Sequence, residues 1–139
     1  TVKVSLRIPP TLEAAPALAA LKRLFEEDPP HGAYVRFEPE WSASGWNAPV
    51  LAPWLETALD NASTHFFGKN FRTMGEGGTI PFMAMLGERF PNAQFVITGV
   101  LGPQSNAHGP NEFLEIPTAK KLTCCIASVL KEHGNDSGG

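Results

Sequence analysis

The apolar residues of this chain change their spacing along the sequence, from a period of two to a period near 3.6 and back. That switching limits the folds open to it. Residues 2–8 alternate, with Val2, Val4, Leu6 and Ile8 set against Lys3, Ser5 and Arg7. Successive side chains of a strand point to opposite faces, so the pattern predicts a half-buried strand ended by Pro9-Pro10. Leu18, Leu21, Leu24 and Phe25 then fall at helical spacing. Pro16 is tolerable only in a first turn, which predicts a helix starting near Ala14 or Ala15 and running to Glu27. Asp28 to Gly32 reads as a turn, and Tyr34, Val35 and Phe37 predict a second strand up to Glu38.

Glu40 to Pro49 breaks the pattern. Its small residues and two indoles, Trp41 and Trp46, read as an interdomain crossing that packs on something. Leu51, Leu55, Ala58, Leu59, Ala62 and Phe66 predict a longer helix ending near Gly68. Phe71 to Met74 reads as a short strand, and residues 80–90 as a helix stopped by Pro91-Asn92. Phe95 to Leu101 is an apolar run of the kind found in buried strands. A last helix is expected from Ile116 to Glu132, with Ile116, Ala119, Thr123, Ile126, Ala127 and Leu130 on one side and Gly134 as its cap. The second part of the chain thus alternates helix and strand, a pattern that implies an α/β fold with a mainly parallel sheet. Two assignable strands are too few for a stable sheet, so further strands are expected upstream. The lack of an initiating Met points the same way.

Composition narrows the function classes. A net charge of −3 gives no reason to expect nucleic acid or an anionic membrane as partner. No apolar run approaches the roughly 18–20 residues that span a bilayer, and Thr1 to Leu6 is not a signal peptide. Cys124 and Cys125 are adjacent on a predicted helix and point different ways, so no bridge joins them. They give no secretory signal, which fits a reducing cytoplasm.

Two loops carry the candidate chemistry. In Gly75-Glu76-Gly77-Gly78-Thr79-Ile80-Pro81 the glycines let the backbone approach a ligand, Thr79 suits an N-cap and Pro81 a first turn. A helix starting there presents free N–H groups to an anion such as a carboxylate. Neither a phosphate loop nor a dinucleotide fingerprint fits the spacing. In Asn106-Ala107-His108-Gly109-Pro110-Asn111-Glu112, one histidine follows the apolar run, where open α/β sheets build their sites. A neutral imidazole there is a natural zinc ligand, although one ligand does not make a zinc site. Ser105 nearby has no Gly-x-Ser-x-Gly context and no acid partner.

Three stretches, in order and with sensible spacing, together resemble the M20 zinc-peptidase family, which includes carnosine-type dipeptidases, aminoacylases and related deacylases. Ser5-Leu6-Arg7-Ile8-Pro9 resembles the lid strand whose arginine reaches the substrate carboxylate. Glu76-Gly77-Gly78-Thr79-Ile80-Pro81 resembles the substrate-binding Glu-Gly-Gly-Ser-Ile-Pro. Ala107 to Glu112 resembles the Ala-His-Ser-x-Asn-Glu loop that gives the last zinc-ligand histidine.

The resemblance implies a C-terminal fragment of such an enzyme. Residues 1–41 would be the second, β-α-β half of a ferredoxin-like lid and dimerisation domain. Residues 42–139 would be the C-terminal part of the mainly parallel catalytic α/β domain. Arg7, Glu76, Gly77, Gly78 and Thr79 would bind a small peptide substrate, and His108 would hold one of two zinc ions. The metals would activate a water while a glutamate moved the proton. That general base and the other ligands are expected upstream, so the isolated chain is expected to be inactive, and its parent to be a cytoplasmic homodimer. The Glu-Gly-Gly-Thr-Ile-Pro form leans toward dipeptidases. The alternatives are an N-acyl amino acid amidohydrolase and, from another class, a noncatalytic anion-binding α/β module.

Overall fold

Helix formation in this chain follows its apolar stripes closely. The structure, a computed structural model, describes residues 1–75 and 81–136. Four α-helices stand among them: α1 (Ala14–Glu26), α2 (Pro53–Phe67), α3 (Pro81–Arg89) and α4 (Ile116–Asp136). A short 3-10 turn, Pro30–Gly32, follows α1. The chain divides into two compact units, residues 1–48 with 75–93 and residues 49–74 with 94–139.

The first unit is tied together around α1. Pro16 sits in the first turn, where its missing N–H is not needed. The helix start is capped from a distance: the Ser44 hydroxyl accepts the Ala14 N–H at 3.0 Å and donates to the Glu13 carboxylate at 3.0 Å. The crossing segment therefore packs back on its own unit. Gly45 lies so close to Pro10 that an added Cβ would come within 2.7 Å of its Cα, and Gly87 of α3 lies against the Trp46 indole. At the other end of α1, Phe25 stacks on Phe37 with ring centroids 5.9 Å apart. Glu26 Oε1 accepts the Phe37 N–H at 2.7 Å and a Lys22 Nζ hydrogen at 2.8 Å. The Lys22 bond, then the Phe37 N–H, hold the Glu26 carboxyl below its ordinary range.

The second unit is an α2–α4 pair. Leu55, Ala58 and Ala62 of α2 are buried against Cys125 and Val129 of α4, with Leu51, Trp54, Leu59 and Phe66 around them. The i, i+3, i+4 spacing of the α2 residues is the stripe that the sequence predicts. Small Ala58 and Ala62 leave room for close approach, and the Cys125 thiol reaches the Ala62 carbonyl at 3.5 Å. Burial, then the neighbouring Cys124, push the Cys125 thiol above its usual range. Cys124 is exposed, and both cysteines are free. Trp54 meets His133 with ring centroids 5.2 Å apart. Gly68 ends α2 with φ 73°, a left-handed cap whose N–H reaches the Thr64 carbonyl at 3.0 Å.

Three expectations are corrected. The strands expected over 2–8, 34–38, 71–74 and 95–101 do not form, and among the described residues there is no strand. The α/β architecture, a β-α-β half of a ferredoxin-like lid followed by a parallel α/β domain, is therefore overturned: the regular structure is helical. Alternation marks a face but brings no partner, and a strand satisfies its N–H and C=O groups only against another strand. The face is not covered either: Val2, Val4 and Leu6 are 86%, 57% and 58% exposed. Lys3 of the first segment makes an exposed ion pair with Glu40 at 2.5 Å, a contact of small energetic weight.

The second correction concerns the buried side of α4. It is the Cys125–Val129 side, while Ile116 and Leu130, expected on the core face, are 60% and 66% exposed. The third is Gly134, which does not cap α4; the helix runs through it to Asp136.

Candidate functional site: the His108 loop

The loop from Gly102 to Phe113 is built by its own hydrogen bonds. The Gly102 carbonyl accepts both the Ser105 N–H at 3.3 Å and the Ser105 hydroxyl at 2.6 Å. Buried Ser105 is thus a structural residue, in keeping with the lack of a nucleophile motif around it. Its carbonyl accepts the Phe113 N–H at 3.1 Å and closes the loop. Inside, the Gly109 N–H meets the Asn106 carbonyl at 2.9 Å, and the Asn106 side-chain amide donates to the Pro110 carbonyl at 2.6 Å. This explains Gly109, where an added Cβ would fall 2.6 Å from the Asn106 amide nitrogen. Gly102 is similarly confined by the Glu115 side chain. Glu115 in turn accepts the Thr118 hydroxyl as α4 begins.

Four residues of the loop have left-handed backbone: Gln104, Asn106, His108 and Asn111, with φ of 63°, 55°, 61° and 58°. Asparagine tolerates this region through its short polar side chain and histidine enters it more readily than most residues, whereas Gln104 adopts it against a steric cost. His108 is exposed, and its main-chain N–H donates to Glu112 Oε2 at 2.9 Å. The loop thus presents one imidazole from a backbone fixed on both sides.

Arg7 lies in the first unit, exposed on the segment before Pro9, and His108 lies in the second. Glu76, Gly77, Gly78 and Thr79 fall outside the described residues; Pro81 heads α3, the first-turn place expected of it. Among the described residues no three His, Cys, Asp or Glu side chains group so as to hold a metal ion. The imidazole of His108 is the right kind of donor for zinc, but a complete site needs at least three protein ligands. This donor set fits one corner of a zinc site. Among the described residues no helix is long and apolar enough to cross a membrane.

Glu112 and Ser105 are the residues that sequence reasoning left without a role. The Glu112 contact had a signal, an acid four residues after a histidine across Gly-Pro. The contact runs through the His108 main-chain N–H, in a turn where His108 is left-handed.

No protein-family model matches the chain. It is similar to the cysteinylglycine-S-conjugate dipeptidase of Corynebacterium striatum, with 27% identity over 139 residues that cover 94% of this chain and 29% of that protein. The match supports a relationship to a dipeptidase, a hydrolase of peptide bonds. The chain spans less than a third of that relative's length.

Proposed function

We propose that this chain is part of a zinc-dependent exopeptidase of the M20 type that hydrolyses dipeptides or short peptides. The observation that carries the reading is the match to a dipeptidase across 94% of the chain. Within it, Arg7 and the segment Glu76-Gly77-Gly78-Thr79 bind the substrate, the arginine through its carboxylate. A guanidinium forks onto a carboxylate with two parallel hydrogen bonds, and a helix starting in a glycine-rich turn offers N–H groups to an anion. His108 supplies one zinc ligand; the other ligands and the general base come from outside this chain. Pairing of two copies through residues 1–41, in the cytoplasm, belongs to the same reading. On this reading the chain by itself turns over no peptide, because the remaining ligands and the general base lie outside it.

The test is hydrolysis by the longer enzyme that carries this sequence. Cysteinylglycine S-conjugates, the substrates in the relative's name, are the first dipeptides to try, with a chelator and with Arg7→Ala. Chelator-sensitive turnover, with KM raised in the arginine variant, supports the reading. Activity on N-acyl amino acids and none on dipeptides overturns it in favour of a deacylase. Anion binding with no turnover leaves a noncatalytic module.

A further inference from the structure

His108 is neither glycine nor asparagine, yet it holds φ at 61°. Left-handed backbone is uncommon outside glycine, and although histidine enters it more readily than most residues, it needs contacts that hold it there. From one side the turn is fixed by Gly109 N–H on the Asn106 carbonyl and by the Asn106 amide on the Pro110 carbonyl. Neither of those bonds touches the His108 peptide N–H. That N–H is taken by the Glu112 carboxylate at 2.9 Å. Hydrogen bonds to an ionised acceptor are the stronger kind, and this one spans the residue whose φ is unusual.

We propose that Glu112 is the positioning residue of His108. Its carboxylate locks the His108 backbone in the left-handed region and so fixes the direction in which the Cα–Cβ bond leaves the loop. The imidazole is then offered to a ligand without first ordering the backbone beneath it, which spares the cost of fixing that residue on binding. Only this last consequence rests on the reading of His108 as a zinc ligand. The lock concerns the chain alone.

The test is nuclear magnetic resonance of the 139-residue chain, unsubstituted and as Glu112→Ala and Glu112→Gln. The readouts are the chemical shift and hydrogen exchange of the His108 amide, with the Ala62 and Cys125 amides as controls for folding. Because the bond is exposed and water can replace it, its loss should speed His108 exchange by about fivefold. Glu112→Gln keeps a side-chain oxygen and should restore most of the protection; general loosening of the loop would not be rescued so. In the unsubstituted chain, a scalar coupling across the bond from the His108 nitrogen to the Glu112 carboxyl carbon reports the contact with no variant at all. The proposal is overturned if that coupling is absent and the amide exchanges as fast as in Glu112→Ala. It is overturned equally if the glutamine variant protects no better than alanine while the control amides hold. Turnover is not read here, so failure of the lock and failure of the peptidase reading are separate results.

Discussion

Leu55 is the large side chain on which the α2–α4 pair depends, and its truncation is the sharpest test of that core. It is 1% exposed, and the side chains buried around it, Ala58, Ala62, Cys125 and Val129, are small or medium. Leu55→Ala removes three carbons. At about 0.8 kcal/mol for each buried methylene the transfer loss alone is about 2.4 kcal/mol. The cavity adds to it, because alanines cannot move into the space. The partly buried Leu51, Trp54, Leu59 and Phe66 can relax toward it, which keeps the total near 3 kcal/mol. Against a typical domain stability of about 5–15 kcal/mol that is a large share. Urea unfolding followed by helical circular dichroism measures it, with Leu59→Ala, a half-buried neighbour, as comparison. A loss below about 1 kcal/mol, or one no greater than at Leu59, would refute the packing described for this pair.

The glycines of the two helix ends make opposite predictions. Gly68→Ala should destabilise by about 1 kcal/mol, because Gly68 has φ 73°. Gly134→Ala should stabilise by about 0.5–1 kcal/mol, because Gly134 lies within α4 and an added Cβ meets nothing within 4 Å. Thermal unfolding of both variants checks the signs. Alkylation under native conditions should modify Cys124 quickly and Cys125 slowly, as mass spectrometry of the peptides would show; burial raises the Cys125 thiol and leaves less thiolate to react. A thiol raised in the folded state favours folding below its unfolded value, so that contribution fades as pH rises through the alkaline range. Glu26 works the other way: its carboxyl is lowered by Lys22 and by the Phe37 N–H, so its contribution is lost as pH falls through the carboxylate range. The Phe37 amide should lose protection on acidification, and Glu26→Gln should abolish that pH dependence.

The helices were legible because their signals are local. The apolar stripe of α2 and the Gly68 stop need only the residues within a few turns, and Leu55, Ala58 and Ala62 are buried as the stripe required. The rotation of α4 was not legible. Hydrophobicity favours Ile116 and Leu130 over Cys125, yet the close approach allowed by Ala58 and Ala62 turns Cys125 inward. The strands failed for a similar reason, since Val2, Val4 and Leu6 name a face and the sequence does not say what lies against it. At the candidate site, His108 stood out by residue type and loop context. The contact with Glu112 depends on a backbone angle that no residue pattern specifies.

The central claim is that His108 serves zinc-dependent peptide hydrolysis, and one measurement tests it most directly. Dipeptide hydrolysis is followed in the longer enzyme carrying this sequence, before and after chelation, with His108→Ala alongside. The account predicts turnover that is lost on chelation, restored by zinc, and reduced by several orders of magnitude in the variant, since a metal site missing one of three or four ligands loses its geometry. Turnover that survives both chelation and the His108 substitution would contradict it.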